Sequence, residues 1–267
     1  MKRLILMLAL VAAPLAADAV PELSEPQLAG LSASADWQDR QRAALARAWQ
    51  ADPVAAEALR VQTPGTTRAG GPRFVLGARG PDATAVLLDR FLTAGDAPAV
   101  RVALLDALAR TEGEWAPGVA AAFVGEESAD VREVMIEVMR RQEPTLSQPL
   151  LRSGAKDASP AVRSAAARGM GWTEDGMWSR ALQEALGDSD ASVRADAARA
   201  LGWVGATDAW PALVAGLADP DPTVRLKAVR SLQRLDAERV ASEPAVQARV
   251  SDPDPKVSRA ARQATGG

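Results

Sequence analysis

The 267-residue sequence contains no cysteine, no histidine and no tyrosine, and only three phenylalanines. Without cysteine the chain can form no disulfide, no thiolate nucleophile and no thiolate metal site. Without histidine it lacks the commonest general base and the commonest ligand of transition metals. We therefore expect no metal site and no cofactor, and the sequence offers no visible catalytic set.

A basic excess is also missing, since the formal net charge is −3. Proteins that bind nucleic acid usually carry a basic excess, because neutralising phosphates supplies most of their affinity. A local basic stripe is still compatible with this charge, so nucleic-acid binding is disfavoured but not excluded. No apolar run beyond the N-terminus is long enough to cross a membrane.

What the sequence does contain is a Val-Arg pair that recurs every 31 residues. The pairs are Val100-Arg101, Val131-Arg132, Val162-Arg163, Val193-Arg194 and Val224-Arg225. A fixed period of this length indicates one supersecondary unit copied along the chain, with each copy packing on the next. The abundance of alanine, the best helix former, favours a unit made of two helices.

The second helix of the unit is clearest at about Pro222 to Leu235. Proline is tolerated in the first turn of a helix, and Asp221 before it can cap the free N–H groups. At 100° per residue, one apolar face gathers Val224, Ala228, Ser231, Leu232 and Leu235. Leu226 and Arg230 point nearly the opposite way on this wheel. The first helices carry only narrow apolar stripes, so burial requires stacked neighbours.

The repeated residues follow the pattern Asp-x-x-x-x-Val-Arg-x-x-Ala-x-x-x-Leu, from about Pro81 to the C-terminus. This pattern resembles the HEAT-repeat family, in particular its short bacterial form, often called phycobilisome-lyase-type repeats. The resemblance implies an all-α, right-handed α-solenoid of stacked antiparallel helix pairs, about six of them within residues 81–267. A repeat of this kind specifies the fold but not the ligand.

In that family an aspartate between the two helices and an arginine six residues later form a ladder between neighbouring repeats. The matching residues in this sequence are Asp157 with Arg163, Asp188 with Arg194, and Asp219 with Arg225. Both ends depart from the pattern: Gly95 precedes Arg101 by six residues, and Asp252 is followed by Ser258 at that distance. We therefore expect a weaker ladder at both ends.

Residues 1–19 are typical of a secretory signal peptide. Lys2-Arg3 is followed by an apolar stretch too short to span a bilayer, and Ala17-Asp-Ala19 offers small residues for cleavage after residue 19 or, alternatively, after residue 17. This predicts a periplasmic or secreted protein, although a buried N-terminal helix is the alternative. Residues 20–80 are interpreted as degenerate capping helices plus a Gly/Pro-rich loop.

The loop, residues 62–81, is rich in glycine, proline and threonine. One interpretation is a surface loop that replaces a degenerate helix. The other is a binding loop that carries Arg68, Arg73 and Arg79.

Two columns of residues are candidates for binding a partner. On the side of the second helices away from the core, one column reads Asp106, Glu137, Arg168, Arg199 and Arg230. Its three arginines suit an acidic surface or a peptide carboxylate, although charged helix faces are often only solvated. Trp172 and Trp203 form the other column, as interface residues or as rings that fill an alanine-rich core.

These observations favour a non-catalytic scaffold of HEAT type that binds an unidentified protein or peptide on its concave face. The recurring carboxylates have structural roles as helix caps and ladder residues, and therefore need no catalytic role. The alternative from another class is an enzyme or enzyme accessory, either a cofactor-attachment lyase or chaperone, or a nucleic-acid repair protein. A purely structural spacer is a third possibility.

Overall fold

The computed structural model describes residues 24–33, 81–93, 98–109 and 114–266. Within these ranges all regular structure is helical and no strand is present, which confirms the predicted all-α class. The predicted signal peptide, most of the predicted capping segment and the 62–81 loop except for Pro81 lie outside the described residues. The chain divides into two compact units, residues 1–134 and residues 135–267.

The described residues of the first unit form four α-helices and the beginning of a fifth. They are α1 (Glu25–Ser32), α2 (Pro81–Leu92), α3 (Pro98–Leu108), α4 (Ala116–Ala122) and α5 (Ala129–Met139), the last of which ends in the second unit. Helix α1 lies within the segment interpreted as degenerate capping helices, and the Gln27 side chain accepts a hydrogen bond from the Ser24 backbone N–H at 2.9 Å. The Gln27 side chain thus satisfies the N–H of the residue before the helix, which is one half of a capping box.

The second unit continues with nine helices in the described part of the chain. They are α6 (Pro144–Gly154), α7 (Pro160–Trp172), α8 (Ser179–Ala185), α9 (Ala191–Trp203), α10 (Trp210–Gly216), α11 (Pro222–Leu235), α12 (Ala237–Ala241), α13 (Pro244–Gln247) and α14 (Pro255–Thr265). The second helices α7, α9, α11 and α14 pack on one another in chain order. This is the stacking that the 31-residue period predicts.

Proline and aspartate determine where the second helices begin. Helix α11 spans the predicted range, and the predicted cap is confirmed: the Asp221 carboxylate accepts hydrogen bonds from the N–H groups of Thr223 and Val224. Asp254 caps α14 in the same way. Each aspartate satisfies N–H groups that the first turn of a helix leaves without an intrahelical partner.

Small residues bring the second helices close together. Ala166, Ala197 and Ala228 occupy one repeat position and are fully buried. Gly202 packs so tightly that a Cβ there would lie 2.6 Å from the Oγ of Ser231. Ser231 in turn donates a hydrogen bond of 2.7 Å to the backbone oxygen of Ala198. Close approach of helix axes requires small side chains at the contact.

Burial around α11 extends beyond the predicted apolar stripe. Val224, Ala228 and Leu232 are fully buried as predicted. Leu226, predicted to point away from the core, is also buried, whereas Arg230 is exposed. The helical wheel considered one buried face, but α11 contacts α9, α10 and α14, so side chains on several of its faces are covered.

The arginine ladder joins each repeat to the following one. The guanidinium of Arg163 donates two hydrogen bonds to the Asp188 carboxylate, at 2.7 and 2.8 Å, and Arg194 binds Asp219 in the same bidentate manner at 2.7 and 3.0 Å. The aspartate six residues earlier contributes its backbone oxygen instead, as Asp157 does to Arg163 at 2.9 Å. Side chains therefore pair across repeats, and backbone carbonyls accept within a repeat.

The ladder continues at the positions where weakening was expected. Arg225 donates two hydrogen bonds to Asp252, at 2.9 and 2.8 Å, and the Asp252 side chain is fully buried. In the first unit Arg101 pairs with Glu126 at 2.6 Å. The expectation overlooked that an aspartate needs only the arginine of the preceding repeat, so a missing arginine after Asp252 does not affect this pair.

Candidate functional site

Trp172 and Trp203 lie at the carboxyl ends of α7 and α9 and are neighbours, as their spacing predicts. Their ring centroids are 6.3 Å apart and their planes meet at 76°, an edge-to-face contact. Trp172 is 47% exposed and Trp203 is partly exposed. A large aromatic ring with half of its surface in solvent is the kind of side chain that binding interfaces use.

Three arginines contact these two rings. The guanidinium carbons of Arg140 and Arg141 lie 4.6 and 5.1 Å from the centroid of Trp172, and that of Arg199 lies 5.0 Å from the centroid of Trp203. These distances are within the range of cation–π attraction. We define the arginine–tryptophan cluster as Arg140, Arg141, Trp172, Arg199 and Trp203.

The other repeated tryptophans have a structural role. Trp178 and Trp210 are buried at 1% and 3% exposure. The indole N–H of Trp210 donates a hydrogen bond of 3.1 Å to Glu243, and the guanidinium of Arg239 covers its ring. Of the two alternatives for repeated tryptophans, filling the core describes this pair but does not describe Trp172.

The predicted column of three arginines is not uniform. Arg168 is partly buried and donates hydrogen bonds to Glu137 at 2.9 Å, to Asp196 at 3.0 Å and to the hydroxyl of Ser164 at 2.9 Å. Although burial acts to lower the pKa of Arg168, its attraction to Glu137 and Asp196 raises that pKa above the ordinary value. The charge of Arg168 is therefore compensated by its own neighbours.

The remaining two arginines of the column differ from Arg168 and from each other. Arg199 shares Asp196 at 2.7 Å and contacts Trp203, whereas Arg230 is exposed. Asp106, in the first unit, is buried. Three equivalent positions of the repeat therefore differ. Arg168 is paired with Glu137 and Asp196, Arg199 shares Asp196 with it, and Arg230 is exposed.

The pKa values of two basic side chains at and beside the cluster are lowered. Burial lowers the pKa of Lys227, and the charges of Arg199 and Arg230 lower it further, against the effect of Asp196. Burial likewise lowers the pKa of Arg140, and Arg141, Arg168 and Arg199 add to this against Glu137. Burial is the main cause of both shifts, and the neighbouring cations add to it.

A shallow groove of about 210 Å³ opens next to the cluster. Arg140, Arg141, Gln148 and Thr173 contribute to its lining, together with the carboxylate of Asp175. Asp175 accepts a hydrogen bond of 2.9 Å from the backbone N–H of Met177. Pockets that enclose small organic ligands commonly measure about 300–1,000 Å³, so this groove suits single side chains better.

Arg140 and Arg141 were missed by the sequence prediction. A signal for Arg141 was available, because it occupies the repeat position of Trp172 and Trp203, and Arg234 follows at the same spacing. That column reads Arg-Trp-Trp-Arg, which no requirement of the core explains. Arg140 has no such signal, because its contact with Trp172 joins side chains 32 positions apart that share no repeat position.

The described ranges contain neither a metal-binding cluster nor a membrane-spanning helix. No group of three or more acidic, histidine or cysteine side chains in them could hold a metal ion. None of the described helices is long and apolar enough to cross a bilayer.

Comparison with known proteins supports the repeat assignment. A family model described as HEAT repeats matches residues 179–266. Escherichia coli YibA is similar in structure, with a TM-score of 0.55 and 16% identity, over 91% of this chain and 93% of YibA. Cex1p is similar with a TM-score of 0.54 and 15% identity, over 88% of this chain and 54% of Cex1p. No curated protein sequence matches the chain.

Proposed function

We propose that this chain is a HEAT-repeat protein and a non-catalytic scaffold, exported to the cell envelope, that binds a protein or peptide on the concave face of its second helices. Stacked helical repeats provide extended surfaces of this kind. The likeness in fold to YibA and Cex1p does not identify a partner, because one fold serves many functions.

The single observation that carries the proposal is the exposure of Trp172. A tryptophan that is 47% exposed, held by an edge contact with Trp203 and flanked by two arginines, is costly to leave in water. Tryptophan and arginine are the residues most enriched among those that dominate binding energy. A partner that covers this ring would remove its apolar surface from water.

The non-catalytic part of the proposal is supported by the roles of the acidic residues. Asp188 and Asp219 bind ladder arginines, and Asp190, Asp221 and Asp254 cap helices. These carboxylates are engaged in structural contacts, and such contacts need no catalytic explanation.

Affinity capture with mass spectrometry tests the scaffold function. The mature protein, immobilised and exposed to an envelope fraction, is expected to retain a defined partner that the Trp172→Ala variant loses. Val124→Ala is the matched control, because Val124 is an apolar residue with 90% exposure in the other unit. A partner retained equally by all three proteins contradicts binding through Trp172, and retention of no partner contradicts the scaffold function.

The arginine column is tested by one substitution rather than three. Arg168→Glu would place a carboxylate between Glu137 and Asp196 and destabilise the protein, so loss of binding would have no clear meaning. Arg230→Glu changes an exposed side chain and leaves these ion pairs intact. We expect it to weaken capture if the column contributes, and unchanged capture removes Arg230 from the binding surface.

Export is tested separately from binding. Expression of the full chain is expected to yield a shortened protein in the periplasm or medium, beginning at Val20 or at Asp18. Mass spectrometry of the intact protein distinguishes the two cleavage sites. An unprocessed chain that stays in the cytoplasm contradicts the export proposal without affecting the binding proposal.

A further inference from the structure

We propose that the arginine–tryptophan cluster is a docking site for an acidic peptide segment that carries an apolar side chain among its carboxylates. This inference rests on the proposed scaffold function and specifies the chemistry of its partner. All five residues of the cluster lie in the second unit.

Two arginines of the cluster have positive charges that acidic side chains balance only in part. Arg141 is exposed and forms no ion pair in the described part of the chain; the contact recorded for it is with the Trp172 ring. The Nε of Arg140 is buried without a hydrogen-bond partner among the described residues, and its ion-pair partner Glu137 lies 3.4 Å away. Glu137 also binds Arg168 at 2.8 Å, so one carboxylate serves two arginines.

Basic side chains outnumber acidic ones around the cluster. Asp196 is shared in a similar way by Arg168 and Arg199. Beyond these shared pairs lie the exposed Arg230 and the partly buried Lys227. Cations therefore outnumber carboxylates here, although the whole chain carries a net charge of −3. Carboxylates brought by a ligand would correct this local excess.

The site also has an apolar component, the exposed ring of Trp172. The Trp172 ring is 47% exposed, and Arg140 and Arg141, which contact it, also line the groove of about 210 Å³. Arginine guanidinium groups near an aromatic face bind carboxylates through paired N–H donors and leave the ring edge free for apolar contact. The site thus offers two kinds of contact side by side, which one short segment of acidic and apolar residues satisfies together.

The chemistry favours a peptide over nucleic acid. Asp175 and Glu137 lie among the groups around the cluster and would repel a continuous line of phosphates. A peptide can place its carboxylates opposite the arginines and its uncharged backbone near Asp175. Single-stranded nucleic acid, which also binds aromatic and basic surfaces, is therefore an outcome that the test must include.

The test measures binding of the synthetic peptide Glu-Glu-Leu-Glu-Glu to the mature protein by fluorescence anisotropy at low ionic strength. The variants are Arg141→Glu and Trp172→Ala, and the control is Arg180→Glu. Arg180 is matched because its side chain is 92% exposed and its reversal changes the net charge by the same amount. Far-UV circular dichroism establishes that each variant is folded.

The proposal expects the peptide to bind, and expects Arg141→Glu and Trp172→Ala to raise its Kd about tenfold or more, as substitution of important interface residues does. Arg180→Glu is expected to change the Kd less than about twofold, since exposed rim charges contribute little. Because Arg141 is exposed, Arg141→Gln provides a second variant with little risk to folding, and it should weaken binding less than Arg141→Glu.

Four results overturn the proposal: no binding of the acidic peptide, equal binding of Lys-Lys-Leu-Lys-Lys, equal weakening by Arg180→Glu, or tighter binding of an oligothymidylate. Failure of this inference is distinguishable from failure of the scaffold function. A partner that is still captured from the envelope fraction by Arg141→Glu leaves the scaffold function standing and removes only the acidic docking site.

Discussion

Replacing Asp252 by asparagine removes the charge from the least exposed ladder pair among those described. The Asp252 side chain is fully buried, and that of Arg225 is 10% exposed. Asp252 accepts two hydrogen bonds from Arg225, one of 3.4 Å from Arg249 and one of 3.0 Å from the backbone N–H of Asp254. The substitution therefore leaves an arginine charge buried without its partner.

The expected cost follows from this burial. Removing one partner of a buried ion pair destabilises a protein by about 3–5 kcal/mol, because the remaining charge keeps its desolvation penalty. Arg225 retains hydrogen bonds to the backbone oxygens of Asp219 and Pro220, and asparagine keeps one acceptor oxygen. We therefore expect a loss of about 3 kcal/mol, at the lower end of that range.

Urea unfolding followed by far-UV circular dichroism measures this loss. Stacked repeats can unfold in steps, so hydrogen exchange in α14, which begins just after Asp252, is measured in parallel. Glu184→Gln is the control, because Glu184 pairs with Arg180 at side-chain exposures of 69% and 92%. An exposed pair of this kind contributes less than about 1 kcal/mol.

Two results would refute the reasoning. One is a loss for Asp252→Asn below about 1 kcal/mol, which would place this pair with ordinary exposed pairs. The other concerns Arg225→Met, which removes the stranded charge. The double variant must be less destabilised than the sum of the two single variants, since the two residues act as one pair, and simple additivity contradicts the assigned contact.

Two further predictions concern packing and acid. Gly202→Ala should reduce the free energy of unfolding by about 1–3 kcal/mol, because the new Cβ would lie 2.6 Å from Ser231 Oγ. Gly216→Ala is the control and should be nearly neutral, because its Cβ would lie 3.6 Å from its nearest neighbour. Thermal unfolding compares the two variants. The hydrogen bonds from Arg163 lower the pKa of Asp188, so its stabilisation is present above about pH 4, the unfolded pKa, and is lost as pH falls through the lower folded pKa. Asp188→Asn should therefore reduce the acid-dependent loss of stability in urea titrations between about pH 5 and pH 2, and an unchanged pH dependence would contradict this assignment.

The helices, their starts and their order of stacking could be predicted because a period of 31 residues repeats the same constraint. Val162, Val193 and Val224 are all buried, so the interpretation of one repeat applies to the others. Prediction of helix α11 needed only its proline, its cap and its apolar spacing.

The partner of each ladder arginine could not be predicted from the period. An arginine lies six residues after one aspartate and 25 residues before the next, and these two aspartates occupy equivalent positions in the repeat. The sequence alone cannot distinguish them. The structure separates their roles, since the following aspartate binds through its carboxylate and the preceding one through its backbone oxygen.

Which arginines of the column form ion pairs could not be predicted either, because this depends on Asp196, a residue outside the column. Asp196 has alanine at the equivalent position one repeat earlier and Lys227 one repeat later. Its single carboxylate binds both Arg168 and Arg199, while Arg230 has Lys227 nearby instead. Identical positions in the repeat therefore have different electrostatic surroundings.

The same reasoning explains why the candidate site lies where the period fails. Positions that hold the stack cannot vary, because each residue such as Ala197 packs between a preceding and a following second helix. A position at or near the end of each second helix is released from this constraint, since the chain turns away nearby. In succession it carries Arg141, Trp172, Trp203 and Arg234. Side chains that vary from repeat to repeat give one place on a periodic surface a chemistry that its neighbours lack. A stack of identical repeats would offer a ligand many equal positions, so selective binding requires departures of this kind.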